Sequence, residues 1–181
     1  SDVCSSDLAE IVALHRRLGD RSRELHEGVW RKTATGAHEV RGRTLGIVGY
    51  GHIGSQVSVL AEAFGMNVIF HDTQPRLALG NARPVDSLHG LLAQSDVVTL
   101  HVPDEPSTRG LVGAAEIDRM KAGAMLINNA RGRVVDLDAL AEAIRTGRIG
   151  GAAVDVYPSE PRRNDDPFTT PLAGLPNVML T

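Results

Sequence analysis

Leu45-Gly46-Ile47-Val48-Gly49-Tyr50-Gly51-His52-Ile53-Gly54 is an apolar run that breaks into a G-x-G-x-x-G turn. The run before Gly49 fits a short buried strand. Behind the turn, Ile53, Val57, Leu60, Ala61 and Phe64 recur at helical spacing, and Gly65 supplies a stop. Val68-Ile69-Phe70 then fits a second strand, with Asp72 at its end, eighteen residues after Gly54. A lone glycine triplet carries little. Strand, turn, helix and strand in this order, closed by an acid, make the full dinucleotide fingerprint. The first glycine permits the tight turn, the second lets backbone approach a pyrophosphate, and the third lets helix pack on strand. The N-terminal N–H groups of the helix suit the phosphates, and the acid suits the ribose hydroxyls.

Outward from this unit the same alternation continues. Strands are predicted at 44–48, 67–71, 96–100, 124–128, 151–154 and 177–180, and helices at 53–64, 86–94, 113–120 and 137–146. Asp136 can cap the last helix and Gly147 can close it. Short apolar strands separated by helices predict an α/β fold, a Rossmann-type doubly wound parallel sheet covered on both faces. Ahead of it, Ile11, Leu14, Leu18 and Leu25 fall on one stripe of an amphipathic helix over 9–28. His15, Arg16, Arg17, Arg21 and Arg23 fill its solvated side, and a break is expected at Gly19-Asp20. Residues 29–43 have no regular pattern. They hold the only tryptophan, Trp30, which is expected at a subunit or interdomain contact and not in a core.

The 181 residues suit one domain with a real core and are too few for two. A hydrophobic share of 42% with 23% charged is that of an ordinary globular chain, and 3% aromatic requires an aliphatic core. A net charge of −3 argues against a nucleic-acid partner, and no apolar run is long enough to cross a membrane. Cys4 is the single cysteine, which excludes an internal disulfide or cysteine metal cluster. His71 and His89 lack ligand spacing, so no metal site is expected. Ser1 to Leu8 can be encoded by the end of a common sequencing adapter, so residues 1–8 are expected to be non-native.

Two further stretches are more specific. Leu126-Ile127-Asn128-Asn129-Ala130-Arg131-Gly132-Arg133-Val134-Val135-Asp136 resembles a signature of the D-isomer-specific 2-hydroxyacid dehydrogenases, as does Gly151-Ala152-Ala153-Val154-Asp155-Val156-Tyr157-Pro158-Ser159-Glu160-Pro161. Gly28-Val29-Trp30, Leu79-Gly80-Asn81-Ala82 and Asp166-Pro167-Phe168-Thr169-Thr170-Pro171-Leu172 extend the resemblance over residues 9–181. It implies an interdomain helix and connecting arm at 9–43 and an NAD-binding domain at 44–181. The substrate lobe and a segment bearing the catalytic histidine would lie outside this stretch, leaving the fragment by itself inactive. It further implies a cytoplasmic homo-oligomer, dimer or tetramer, with no membrane or nucleic-acid partner. The implied substrate is a phosphorylated D-2-hydroxy acid, 3-phospho-D-glycerate, oxidised to 3-phosphooxypyruvate in serine synthesis.

The resemblance also implies roles. Arg131, at a strand's carboxyl end, would be the catalytic arginine, its guanidinium fork matching a substrate carboxylate and polarising the reacting oxygen. Glu160 would pair with the histidine outside the stretch. Gly49, Gly51, His52, Ile53 and Gly54 would hold the pyrophosphate through backbone, and Asp72 the ribose. Asn129, Ala130, Arg131 and Asp155 would flank the nicotinamide end. His101, also at a strand end, either lines that side or is structural. Asp72 favours NAD over NADP by repelling a 2′-phosphate, although Arg76 nearby could hold one. Two other readings stay open: another D-2-hydroxy acid dehydrogenase or 2-oxo acid reductase, and a non-catalytic NAD-sensing module on the same fold.

Overall fold

A computed structural model describes residues 3–163 and 165–181. In chain order its elements are α1 (Val3–Arg16), α2 (Leu18–His26), β1 (Thr44–Val48), α3 (His52–Ala63), β2 (Asn67–His71), β3 (Arg83–Pro84), α4 (Leu88–Gln94), β4 (Val97–Leu100), α5 (Ala114–Ile117), β5 (Ala124–Asn128), α6 (Leu137–Arg145), β6 (Ile149–Val154) and β7 (Val178–Leu180). The strands form one sheet in the order β3-β2-β1-β4-β5-β6-β7, every pairing parallel. β1 lies between β2 and β4, where the chain reverses its direction of travel across the sheet. In such sheets ligands bind at the carboxyl ends of the strands flanking this switch point.

Period-two alternation sends side chains to two separate cores. Leu45, Ile47, Val68, Phe70, Val97, Met125, Ile127 and Ala153 pack with Ile11, Leu14, Val57 and Ala61 of α1 and α3. Val48, Ile69, Val98, Leu100, Leu126, Ala152 and Val154 pack with Leu91, Ile117, Leu140 and Ile144 of α4, α5 and α6. Both cores are aliphatic apart from the stacked pair Tyr50 and Phe70, whose ring centroids lie 3.8 Å apart. Helix ends follow the expected chemistry. Asp136 accepts from the N–H groups of Asp138 and Ala139 at the start of α6, and Gly65 and Gly147 follow α3 and α6 with φ +77° and +75°.

The first helix departs from expectation. It begins by Val3, so the described part of 1–8 is helical, with Asp7 and Leu8 buried. The break falls at Arg17, left-handed with φ 53°, and not at Gly19-Asp20, which lie inside α2. The rotation at Arg17 splits the expected stripe. Ile11 and Leu14 are fully buried, while Leu18 and Leu25 are about half exposed. His15 is buried too and not on the solvated side; its Nδ1–H donates to the carbonyl of Ile11 at 2.8 Å. Helices α4 and α5 start later than expected, at Leu88 and Ala114, and α5 ends earlier, at Ile117. The short edge strand β3 has no counterpart among the predicted elements.

The break is braced by contacts from a residue distant in sequence. Asp20 accepts from Arg17 at 2.7 Å, from Arg23 at 3.2 Å and from the backbone N–H of Asn177 at 2.9 Å. Asn177, itself left-handed at φ 52°, donates its side-chain amide to the carbonyls of Leu14 and Gly150. One buried asparagine therefore ties α1, α2 and β6 together just before β7. Asn177→Ala should destabilise the chain by about 2–3 kcal/mol, since two buried bonds go and a strained left-handed alanine remains. Asn177→Gly should recover the conformational part only. Thermal or urea unfolding of the three proteins measures both steps.

Candidate functional site

The glycine turn connects β1 to α3, and its three glycines stand in three different environments. Gly49 has φ +90°, and a Cβ there would strike the carbonyl of His101. A Cβ on Gly54 would collide with the carbonyl of Gly49 and meet Ile47 Cγ2 at 3.0 Å, so α3 packs directly on backbone. Gly51, the N-cap of α3, faces open space: a methyl group at this position would have nothing within 4 Å, and no side chain caps the helix. The start of α3, with no side chain over it, thus leaves its first N–H groups beside open space at Gly51, as an anion at a helix start requires.

That volume belongs to a cleft of about 460 Å³ at the carboxyl ends of β1, β2 and β4. Its lining includes Gly49, Gly51, Asp72, Gln74, Arg76 and His101, and Val102, Pro103, Ser107, Thr108 and Leu111 from the segment after β4. Asp72 is fixed within it. Its Oδ1 accepts from the N–H of Gln74 at 2.8 Å, and its Oδ2 from the N–H of Tyr50 at 2.8 Å and Arg76 Nε at 3.1 Å. Burial works against its charge, but these donors prevail and hold its carboxyl below the usual carboxylate range.

Arg131 and Glu160 meet in a second cleft, of about 310 Å³, together with Asp104, Arg133 and Tyr157. Asp104 faces this cleft while Pro103 and Glu105 face the first, so one short segment divides them. The loop after β5 is held from within: Asn128 Nδ2 donates to the carbonyl of Arg131 at 3.0 Å, and Asn128 Oδ1 accepts from the N–H of Ala130 at 3.2 Å. A Cβ on Gly132 would strike the backbone of Tyr157, so the two loops press together. The guanidinium of Arg131 donates to the carbonyl of Ala130 at 2.6 Å and forms no ion pair among the described residues. Asp155 is exposed at the end of β6 and accepts from Thr181 Oγ1 at 3.0 Å.

Residues 8–181 match the family described as D-isomer specific 2-hydroxyacid dehydrogenase, NAD binding domain. The chain belongs to that family. It is 54% identical over 174 residues to D-3-phosphoglycerate dehydrogenase of Haemophilus influenzae, covering 96% of this chain and 42% of that protein. The Escherichia coli K12 protein of the same name is 51% identical with the same coverage. The chain thus spans about two-fifths of the length of the curated relatives it matches. Among solved structures, an NAD-dependent formate dehydrogenase from Staphylococcus aureus in complex with NAD superposes with TM-score 0.90 at 30% identity, over 99% of this chain and 54% of that one.

As an NAD-binding domain of this family, the chain has residues that fit the cofactor. The open space at Gly51 would admit a pyrophosphate, and Asp72, held by three donors, would meet a ribose. Two expected residues have side chains engaged within the protein, although His101 borders the cleft. The imidazole of His101 is only 3% exposed and turns into the sheet, with Nε2 3.2 Å from Thr99 Oγ1 and 3.5 Å from Asp7 Oδ2. Asn129 turns its amide under the loop, donating to Glu10 at 2.7 Å. Glu10, Thr99 and the 102–111 wall carry no motif that marks them in the sequence. The wall follows β4 at its carboxyl end, and that position was the available signal.

Two outcomes follow. Gly51→Ala should leave the unfolding midpoint nearly unchanged while weakening NAD binding severely, whereas Gly54→Ala should lower both. Calorimetric titration beside thermal unfolding separates the cases. The second concerns Asp7 and His101. Burial drives the Asp7 carboxyl up to about 7 and the His101 imidazole down to about 4, so both are neutral between those values. A carboxyl raised on folding contributes stability that is present below its unfolded value near 4 and lost as pH rises through about 7. Asp7→Asn should therefore unfold at a higher temperature than the parent at about pH 8, with little difference at about pH 4.

Proposed function

We propose that the protein to which this chain belongs oxidises 3-phospho-D-glycerate to 3-phosphooxypyruvate with NAD, the opening step of serine synthesis, in the cytoplasm. The observation that carries the reading is the pair of clefts on either side of residues 103–105: one with the glycine turn and Asp72, the other with Arg131 and Glu160. The choice of substrate rests on the likeness to relatives named D-3-phosphoglycerate dehydrogenase.

NAD, when bound, accepts a hydride from the hydroxyl-bearing carbon. This chain's residues bind and orient. The N–H groups of Gly51, His52 and Ile53 receive the pyrophosphate, with Gly49 and Gly54 shaping the turn. Asp72 accepts from the ribose hydroxyls. Ala130, Asn129 and Asp155 form the edge where the reacting carbon is presented, and His101 supports that edge from below. Arg131 grips the substrate carboxylate and polarises the oxygen on the reacting carbon, its fork suiting a planar anion. Glu160 orients and charges an imidazole supplied from outside residues 1–181, which takes the hydroxyl proton. Residues 9–43 form the interdomain helix and arm, and residues 1–8 are a non-native extension. The working protein is a homo-oligomer, and Trp30, 79% exposed in this chain, lies in its contact surface.

In the full-length protein, Arg131→Ala should lower kcat/KM by about 10²–10³-fold, the scale of losing a preorganised charge-stabilising donor. NAD affinity should hardly change, and Arg131→Lys should rescue poorly. NADH formation under initial-rate conditions checks this, and wild-type turnover by Arg131→Ala would refute the assignment. NAD should bind more tightly than NADP. Asp72→Ala should narrow the gap from both sides, by removing the ribose acceptor and by releasing Arg76. Equal affinities in the parent protein would sink the cofactor preference.

A further inference from the structure

Tyr50 is the first variable residue of the G-x-G-x-x-G turn, and nothing in the fingerprint requires a tyrosine there. It is 2% exposed. Its ring stacks on Phe70 of β2, with planes inclined by 16°. Its hydroxyl lies 2.7 Å from Ser58 Oγ in α3 and 3.3 Å from the backbone nitrogen of Leu79. Proton counting orders these contacts. Ser58 has one hydroxyl proton, and it goes to the carbonyl of Ser55 at 2.7 Å. Ser58 Oγ must then accept from Tyr50, and the tyrosine oxygen is left to accept from Leu79. The result is a single directed chain: Leu79 N–H to Tyr50 hydroxyl, to Ser58 hydroxyl, to Ser55 carbonyl. Such chains polarise and strengthen one another in a dry interior.

The two ends of Tyr50 hold different parts of the cleft. Its backbone N–H donates to Asp72 Oδ2, and its hydroxyl receives the far end of the segment 73–82. That segment carries Gln74 and Arg76 into the cleft. Its other polar anchors sit at its two ends: Asp72 accepts from the N–H of Gln74 and from Arg76 at the start, and at the finish Glu62 accepts from the N–H of Asn81 at 3.1 Å and Asn81 Nδ2 donates to the carbonyl of Met66. Leu77, in the middle, is 85% exposed and gives the segment no apolar anchor. We propose that Tyr50 is a positioning residue: its hydroxyl pins residues 73–82 to α3, so that Asp72, Gln74 and Arg76 meet the ribose end of the dinucleotide at one fixed place. The inference rests on the dinucleotide reading of this cleft and adds a residue buried behind its lining.

The test uses the full-length protein, titrated with NAD and with ADP-ribose, which carries the adenosine and pyrophosphate but no nicotinamide. Tyr50→Phe keeps the stack on Phe70 and the N–H to Asp72 and removes only the hydroxyl. It should weaken both ligands about three- to tenfold, the scale of one net hydrogen bond. The Leu79 amide should exchange with solvent faster, while kcat at saturating NAD changes less than the affinity. Ser58→Ala cuts the same chain one link further on and should move both readouts in the same direction. The double variant should be no worse than Tyr50→Phe, because the two act as a unit. If Tyr50→Phe does not fold, Ser58→Ala carries the test. Parent-like ADP-ribose affinity in the variant overturns the proposal and leaves the dinucleotide reading standing. A parent protein that binds neither ligand overturns both.

Discussion

Two stretches of backbone meet with no room for a side chain between them: the carbonyl of Gly49 at the end of β1 and Gly54 in the first turn of α3. This contact sets the angle at which α3 leaves β1, and β1 is the strand at which the sheet reverses. The angle places Ile53, Val57 and Ala61 against Ile47, Phe70 and Met66, so one of the two cores is built on it. It also sets the start of α3, at Gly51, beside the cleft. Packing and ligand geometry share one constraint here, and for this reason a methyl group is tolerated at Gly51 by the fold but not at Gly54.

The carboxyl edge of the sheet is fixed from below by polar groups on the α1 side. Thr99 and Ile127 face α1 by strand alternation, and Thr99 donates to Asp7 at 2.8 Å. Asn129 reaches down to Glu10, whose carboxyl burial pushes up despite that bond. One oxygen of Asp7 and the side-chain oxygen of Asn129 are buried without a partner among the described residues. A fold seldom keeps such orphans, and a carboxylate at position 7 is costlier than a neutral side chain would be. Glu10, nearly one turn further along α1, is instead satisfied by its 2.7 Å bond from Asn129.

Period and punctuation made most of the sheet legible. β1, β2 and β5 fall where the apolar runs place them, and Asp136 and Gly147 bound α6 as side-chain chemistry requires. The failures have a common origin in contacts distant in sequence. Gly19 has the lower helix propensity, yet the helix breaks at Arg17, braced where Asp20 answers to Asn177, 157 positions away. His15 reads as polar and is buried because its Nδ1 is satisfied within its own helix. β3 is two residues long and ends in a proline on the sheet edge, too short for any periodicity. In the site, glycines and charged residues announced themselves by type. The 102–111 wall did not, since valine, proline and leucine there read like any loop beside a core.

The two clefts are built to different tolerances. In the first, the turn is held by backbone packing and Asp72 by three donors. In the second, the loop carrying Arg131 is anchored through Asn128 and Gly132, but the guanidinium itself is exposed, with one bond to its neighbour's carbonyl and no carboxylate partner among the described residues. Glu160 is exposed likewise. Among the described residues neither Arg131 nor Glu160 forms an ion pair, and Glu160 accepts only from the N–H of Tyr157 at 3.4 Å, so the two add little to the stability of the fold. Their value rises only when water is excluded around them, where a Coulomb interaction strengthens several-fold. Arg131 and Glu160 thus stand solvated at the second cleft, whereas Asp72 at the first is already held by three donors.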